Sequence, residues 1–494
     1  MLDLSYKYNY LFLNSKYIEK DVEIMSPEQV GFALLYLGIF LLLGKWIRLH
    51  SKGMQNLFLP ASVIGGFLAL LLGPEILGRI IGNFAGEDAF LANGIMTAEI
   101  MEVWSALPGL MINVVFATLF IGTVLPNMKR VWNVGGPQLA FGWTLGWGQY
   151  VVGLLIALLI LVPFYDLPPF IGALIEVGFE GGHGTAAGLQ GTFEDLGFPE
   201  AYDIAVGLAT VGILSGVIVG ITLINWAVRK NKTKMITDVK GLSTQQKSGV
   251  MNEEGRQEGG MKQTVRAESI DTYTLHFAIV GLSILVGYLI LQAITWIEAS
   301  LFGSDFMTYI PLFPLAMIGG LIVQVFITKY DVSKLIDRNT ISSIQGFSLD
   351  ILIASAIATV SISVIGEYLV PFLLLAFFGL AWNLFGFFFF GPRMLPDYWV
   401  ERAVGDFGQS TGVTATGLML MRVADPEMKS PAAEGFGYKQ LVFEPFLGGG
   451  LVTALSAPLV FMWGPWPFLI FSIVMLIIGI TVGLFYFGKR KPIE

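Results

Sequence analysis

Cysteine is absent from all 494 residues. That excludes disulfides, thiolate nucleophiles and cysteine-ligated metals or clusters. Charge is scarce as well. Asp, Glu, Lys and Arg make up 13% of the chain, about half the share of a soluble protein, which is too little to cover a large water-exposed fold. The three histidines, His50, His183 and His276, are too scattered to suggest a metal cluster. There is no G-x-x-x-x-G-K-[ST] phosphate loop, no H-E-x-x-H pair and no nucleophile elbow, so no enzyme activity and no ATP-driven pumping is expected. Residues 1–27 lack a basic segment leading into a short apolar core and cleavage site, so a cleaved leader is not expected.

What the chain has is apolar mass: 54% hydrophobic residues, 38 Phe and 59 Gly, with a net charge of -8. Runs long enough to cross the ~30 Å hydrocarbon layer fall into two sets of five, within 28–227 and 272–461, followed by an eleventh at 464–487. The last run of the second set is read at 441–461. Basic residues alternate along the loops: Lys45, Arg48 and Lys52, then Lys129 and Arg130, Arg229 to Lys234, Lys329 to Arg338, Arg393, and Lys489 to Lys491. By the positive-inside rule this puts segment 1–27 outside the cell and the tail 488–494 in the cytoplasm. The polar segment 228–271, rich in Gly and Gln with a basic excess, reads as a cytoplasmic linker beside anionic lipid. It has few aromatics and no nucleic-acid-binding module.

Two stretches interrupt the apolar pattern at corresponding places, 168–192 and 398–423. Each is rich in Gly, Ser and Thr and reads as a re-entrant hairpin, because non-helical backbone at membrane depth survives only where protein or a watery cavity covers it. Five spans are odd, so the second set enters from the opposite side. The chain is therefore expected to be an all-α polytopic membrane protein of two inverted five-helix repeats, each with a re-entrant hairpin, plus an eleventh C-terminal helix. Gly181, Gly182 and Gly184 around His183 suit a turn with exposed N–H groups that hold a carboxylate without a full cation, and helix packing is the alternative. His183 is either a backbone anchor or a substrate donor, and Thr185 adds a hydroxyl beside it. In the second stretch Gln409, Ser410, Thr411, Gly412, Thr414 and Thr416 offer donors and oxygens to a substrate. Thr411, Thr414 and Thr416, with Asp203 and Asp406, are the candidate Na⁺ ligands. Asn113 and Asn383 sit at comparable positions in the third and ninth spans, and Arg422 is either an anion partner or one more topology charge.

Leu57-Phe58-Leu59-Pro60-Ala61 with Gly65-Gly66, Glu180-Gly181-Gly182-His183-Gly184-Thr185-Ala186-Ala187, Ala209-Thr210-Val211-Gly212 and Gly412-Val413-Thr414-Ala415-Thr416 resemble, in order and spacing, the sodium/glutamate symporters of bacterial inner membranes. The resemblance implies a homodimeric scaffold, elevator-type movement of the hairpin-bearing domains, and L-glutamate uptake coupled to Na⁺ with no other cofactor. It also implies that Gly181 to Thr185 and Thr414 to Thr416 form the site. Ala415 stands where the well-studied type has Pro, and the eleventh span and long linker also depart from that type. Carriage of another small carboxylate, coupled to H⁺ through His183, is the alternative within the class. A channel or membrane scaffold is the alternative outside it.

Overall fold

The computed structural model describes residues 26–57, 59–86, 88–123, 128–236, 262–301, 306–330, 332–426 and 429–490. Among these there are helices and no strands. The centre of the expected linker and nearly all of segment 1–27 lie outside the described residues.

Six helices form one group. These are α1 (Pro27–His50), α2 (Ala61–Ala85) and α3 (Ala98–Ala117), then α9 (Thr272–Leu301), α10 (Leu312–Lys329) and α11 (Arg338–Ala358). They pack as α1 on α2, α9 on α10, and α11 against both α2 and α3. Their starts are locally encoded: the Ser26 side chain accepts from Gln29 N while Gln29 accepts from Ser26 N, and Thr97 caps α3. Between helices in lipid no hydrophobic force acts, so close approach of backbones does the work. Gly319 of α10 shows it, since a Cβ there would collide with the Ser283 carbonyl of α9.

The second group contains α4 (Val131–Tyr165), α5 (Pro169–Phe179) and the short α6 (Gly182–Gly188) and α7 (Gln190–Asp195), followed by the long α8 (Ala201–Arg229). Later in the chain come α12 (Leu369–Met394), α13 (Trp399–Ala424), α14 (Ala432–Phe443), α15 (Leu451–Trp463) and α16 (Pro465–Phe487). Here α8 packs on α13 and α5, while α4 runs through the middle against α12, α14 and α16. The two groups meet at α6, which touches α8 on one side and α3 and α11 on the other.

Ten helices among the described residues are long and apolar enough to span a bilayer, against the eleven expected. The difference lies at 441–461. That run is broken into α14 and α15 by Gly448, Gly449 and Gly450, the first two at φ +69° and +102°. Three consecutive glycines can turn the backbone there at little steric cost. A second difference is α11, which begins well before the apolar part of its run. Its first turns, Arg338 to Gln345, are polar, so an apolar window misses them. Asp337 explains the start: its carboxylate accepts from Thr340 N at 2.9 Å and Thr340 Oγ1 at 2.8 Å, and its own N–H donates to His276 at 2.7 Å. That contact places His276 as a structural tie between α9 and α11.

Candidate functional site

Both expected interruptions turn the chain back on itself. In the first, the α5 arm and the α6–α7 arm return far enough for Phe170 and Phe193 to stack with centroids 6.2 Å apart. The turn lies at Gly181–Gly182, with Gly182 at φ +72°. In the second, α13 is two helical arms joined at Gly412 and Val413. Gly408 faces Gly417 and Gly405 faces Met421 across it, too close for side chains. Val413 has φ +64°, a costly conformation for a β-branched residue that only surrounding contacts can hold. The two turns touch, and a Cβ on Gly182 would collide with Val413 Cγ1.

A third break arrives at the same point, one the apolar reading of 441–461 conceals. The Gly448 N–H donates to Glu176 Oε1 at 2.8 Å, and Gly449 lies directly over the Thr185 hydroxyl. Glu176 is fully buried on α5 and its carboxylate is well supplied: Tyr150 OH donates at 2.5 Å and Thr453 Oγ1 at 2.8 Å. Glu180, one turn further on, is different. Ser410 Oγ donates to its Oε1 at 2.9 Å, but Oε2, also buried, has no hydrogen-bond partner among the described residues. A buried carboxylate oxygen left so is costly unless a proton, a metal cation or a substrate amine reaches it.

The remaining polar groups are spread along α4. Gln138, Gly142, Gly146 and Gln149 fall at helical spacing on one face. Gln149 Nε2 and Asn383 Nδ2 each donate to the Ser410 carbonyl at 2.6 Å, satisfying the acceptor freed where the first arm of α13 ends. Gly146 makes room for Glu180 Oε2, and Gly142 for the ion pair of Lys439 with Asp406, 3.1 Å apart and fully buried. Lys439 Nζ also donates to Gln409 Oε1. Asp406 Oδ2 has no hydrogen-bond partner among the described residues.

The residues singled out in the sequence divide accordingly. Gly181, Gly182, Thr185, Gln409, Ser410, Gly412 and Asn383 converge on the meeting point. Thr185 Oγ1 donates to the Gly181 carbonyl at 2.9 Å and closes the turn. His183 turns away from it. Its Nε2 lies 2.9 Å from Thr210 Oγ1, whose own proton goes to the Val206 carbonyl, so the imidazole donates and anchors α6 to α8. Gly184 packs against Ile112 and Leu352 of the other group. Thr411 donates to the Phe407 carbonyl of its own helix at 2.7 Å. Thr414 donates to Glu444 at 2.7 Å and accepts from Gln440. Thr416 is buried behind the turn, against Gly216 of α8.

Three positions stand apart from a shared site, and a fourth, Asp406, is already occupied. Asp203 accepts from the Ser361 N–H at 2.7 Å, nine residues before Gly212, the α8 position that touches the turn; at ~1.5 Å rise per residue it is remote. Asp406 is already paired by Lys439. Asn113 donates to the Gly109 carbonyl of its own helix at 2.8 Å, and Arg422 is exposed in the last turn of α13. Sequence reading overlooked Glu176, Lys439, Gln149, Glu444 and the Gly448–Gly450 break. The available signals were acids one turn apart before the glycine run, and three glycines inside an apolar one.

No group of three or more His, Asp or Glu side chains suited to a metal occurs among the described residues. Glu180 Oε2 and Ser410 Oγ are hard oxygens of the kind that ligate a monovalent cation. Comparison with curated proteins gives no match. The family model of the sodium/glutamate symporters matches residues 29–424, which include both turns, α4 and α8. The chain, a multi-pass helical membrane protein, belongs to the sodium/glutamate symporter family.

Proposed function

We propose that this protein is a secondary active carrier that takes up L-glutamate together with Na⁺. The observation that carries the reading is the meeting of Gly182 with Val413 beside the unpartnered oxygen of Glu180. Helix starts at the two turns suit a substrate carboxylate, and a buried carboxylate oxygen without a hydrogen-bond partner suits the cation. The direction of the turns fits substrate carboxylates held at the N-terminal ends of α6 and of the second arm of α13, with their partial positive charge.

The movement we propose is an elevator-type displacement of the second helix group against the first. Its support is the α6 boundary, where Gly184 and Gly188 present a small-residue surface to Ile112, Leu352 and Phe313. The element order supports an inverted-repeat origin: three scaffold helices, one long helix, a folded-back pair and a closing segment occur in 28–227 and again in 272–461. The exposed apolar face of α9, with Phe277, Leu289 and Trp296, suits lipid or a second copy in a homodimer. The loop charges support an orientation with the N-terminus outside, and placement in a bacterial inner membrane is what the family resemblance implies.

The test is uptake of labelled L-glutamate into proteoliposomes under an inward Na⁺ gradient, with choline as control. Accumulation with Na⁺ alone is expected. Equal uptake in choline would overturn Na⁺ coupling, and conductance without saturable accumulation would mark a channel.

A further inference from the structure

We infer that the ammonium of Lys439 occupies a monovalent-cation site between Asp406 and Gln409, acting as a resident cation in a place that Na⁺ takes when the lysine is removed. The transport consequence rests on the carrier reading above, but the site itself is argued from geometry. Lys439 lies beyond the residues matched by the family model.

Four observations converge on it. Lys439 and Asp406 are fully buried, where among the described residues few cations are, and the ammonium has an acid oxygen at 3.1 Å and an amide carbonyl oxygen as ligands. Both ligands come from the arm of α13 that ends at the turn, three residues apart and so on one face. The Phe443 ring lies 3.8 Å from Nζ at its centroid, a further cation-attracting surface. The space is made by Gly142, where a Cβ would sit 2.5 Å from Lys439 Cε. Gln409 is next to Ser410, whose hydroxyl donates to Glu180. The lysine site and the Glu180 carboxylate are therefore neighbours through consecutive residues of one arm, Gln409 touching the ammonium and Ser410 touching Glu180, whose Oε2 has no hydrogen-bond partner among the described residues.

An ordinary buried ion pair makes a different prediction. Removing one partner of such a pair leaves an uncompensated charge and destabilises strongly whatever salt is present. A cation site instead rebinds a cation of suitable size. In detergent-solubilised protein, thermal unfolding and ²²Na⁺ binding are to be compared for the unmutated chain, K439A, D406N and D406N/K439A, in NaCl and in choline chloride. K439A is expected to bind one more Na⁺ per protomer than the unmutated protein and to show a Na⁺-specific rise in unfolding midpoint. D406N/K439A is expected to lose both increments, and D406N alone to bind as many Na⁺ as the unmutated protein.

Equal Na⁺ counts in K439A and the unmutated protein would overturn the proposal. So would K439A failing to fold in NaCl, because Na⁺ would then not replace the ammonium, and so would a lost Na⁺ in D406N. None of these readouts uses glutamate. Failure of the carrier reading would show separately, as no Na⁺-dependent uptake by the unmutated protein.

Discussion

At Gly182 a single hydrogen in place of a side chain is what lets two turns meet. An alanine there would adopt φ +72° at a cost of about 1–3 kcal/mol and would also press its methyl on Val413 Cγ1. Gly182→Ala is therefore expected to cut the uptake rate at least tenfold in protein that remains inserted and monodisperse. Normal KM and rate would reduce the contact to packing. Glu180 offers a complementary test. If its free oxygen receives Na⁺, Glu180→Gln removes a charge-assisted contact worth roughly 1.5–3 kcal/mol, and half-maximal uptake should need about 10- to 100-fold more Na⁺. An unchanged Na⁺ dependence of initial rates would remove Glu180 from the cation's path. The glycine run around His183 was legible as a turn because no continuous helix needs that density of glycine. The role of the imidazole was not legible. Whether it faces a substrate or Thr210 depends on where α8 lies, and no local pattern encodes that.

Helices carry the site mainly by where they stop. The run 441–461 looks continuous to any apolar count, yet α14 ends and α15 begins around glycines whose positive φ values take the loop to Glu176 and Thr185. Gly449 and Gly464 separate strain from contact. Both have positive φ, but a Cβ on Gly449 would lie 2.5 Å from Thr185 Oγ1, whereas one on Gly464 would meet nothing within 4 Å. Gly449→Ala is thus expected to lower both the unfolding midpoint and the uptake rate more than Gly464→Ala, which bears the backbone cost alone. Equal effects would mean that the third break does not press on the first turn. The same limit of apolar counting hid the polar first turns of α11, where the informative residue was the Asp337 cap. The stripe of Gln138, Gly142, Gly146 and Gln149 on α4 went unread for another reason: glycines four apart in a membrane helix fit close helix packing equally well, and only the partners Lys439 and Glu180 distinguish the two.

For the whole molecule, membrane-spanning character and the pairing of two broken stretches were open to reading because they depend on composition and order. Which helices form which group was not, because α9 to α11 join α1 to α3 across more than 150 residues of intervening chain. The boundary at α6 is where the elevator movement we propose would slip, and the absence of cysteine makes it directly testable without first clearing a background. Gly184 of α6 lies against Ile112 of α3, a Cβ there falling 2.7 Å from Ile112 Cδ1. The double variant Ile112→Cys/Gly184→Cys exchanges the larger side chain for a smaller one just where a new one is added, so packing is largely compensated. Oxidation should link the two groups, abolish Na⁺-driven uptake and be reversed by a reductant, while the single-cysteine variants stay active through the same treatment. Full transport by quantitatively linked protein would mean that α6 and α3 travel together, and the moving boundary would then have to lie elsewhere in the fold.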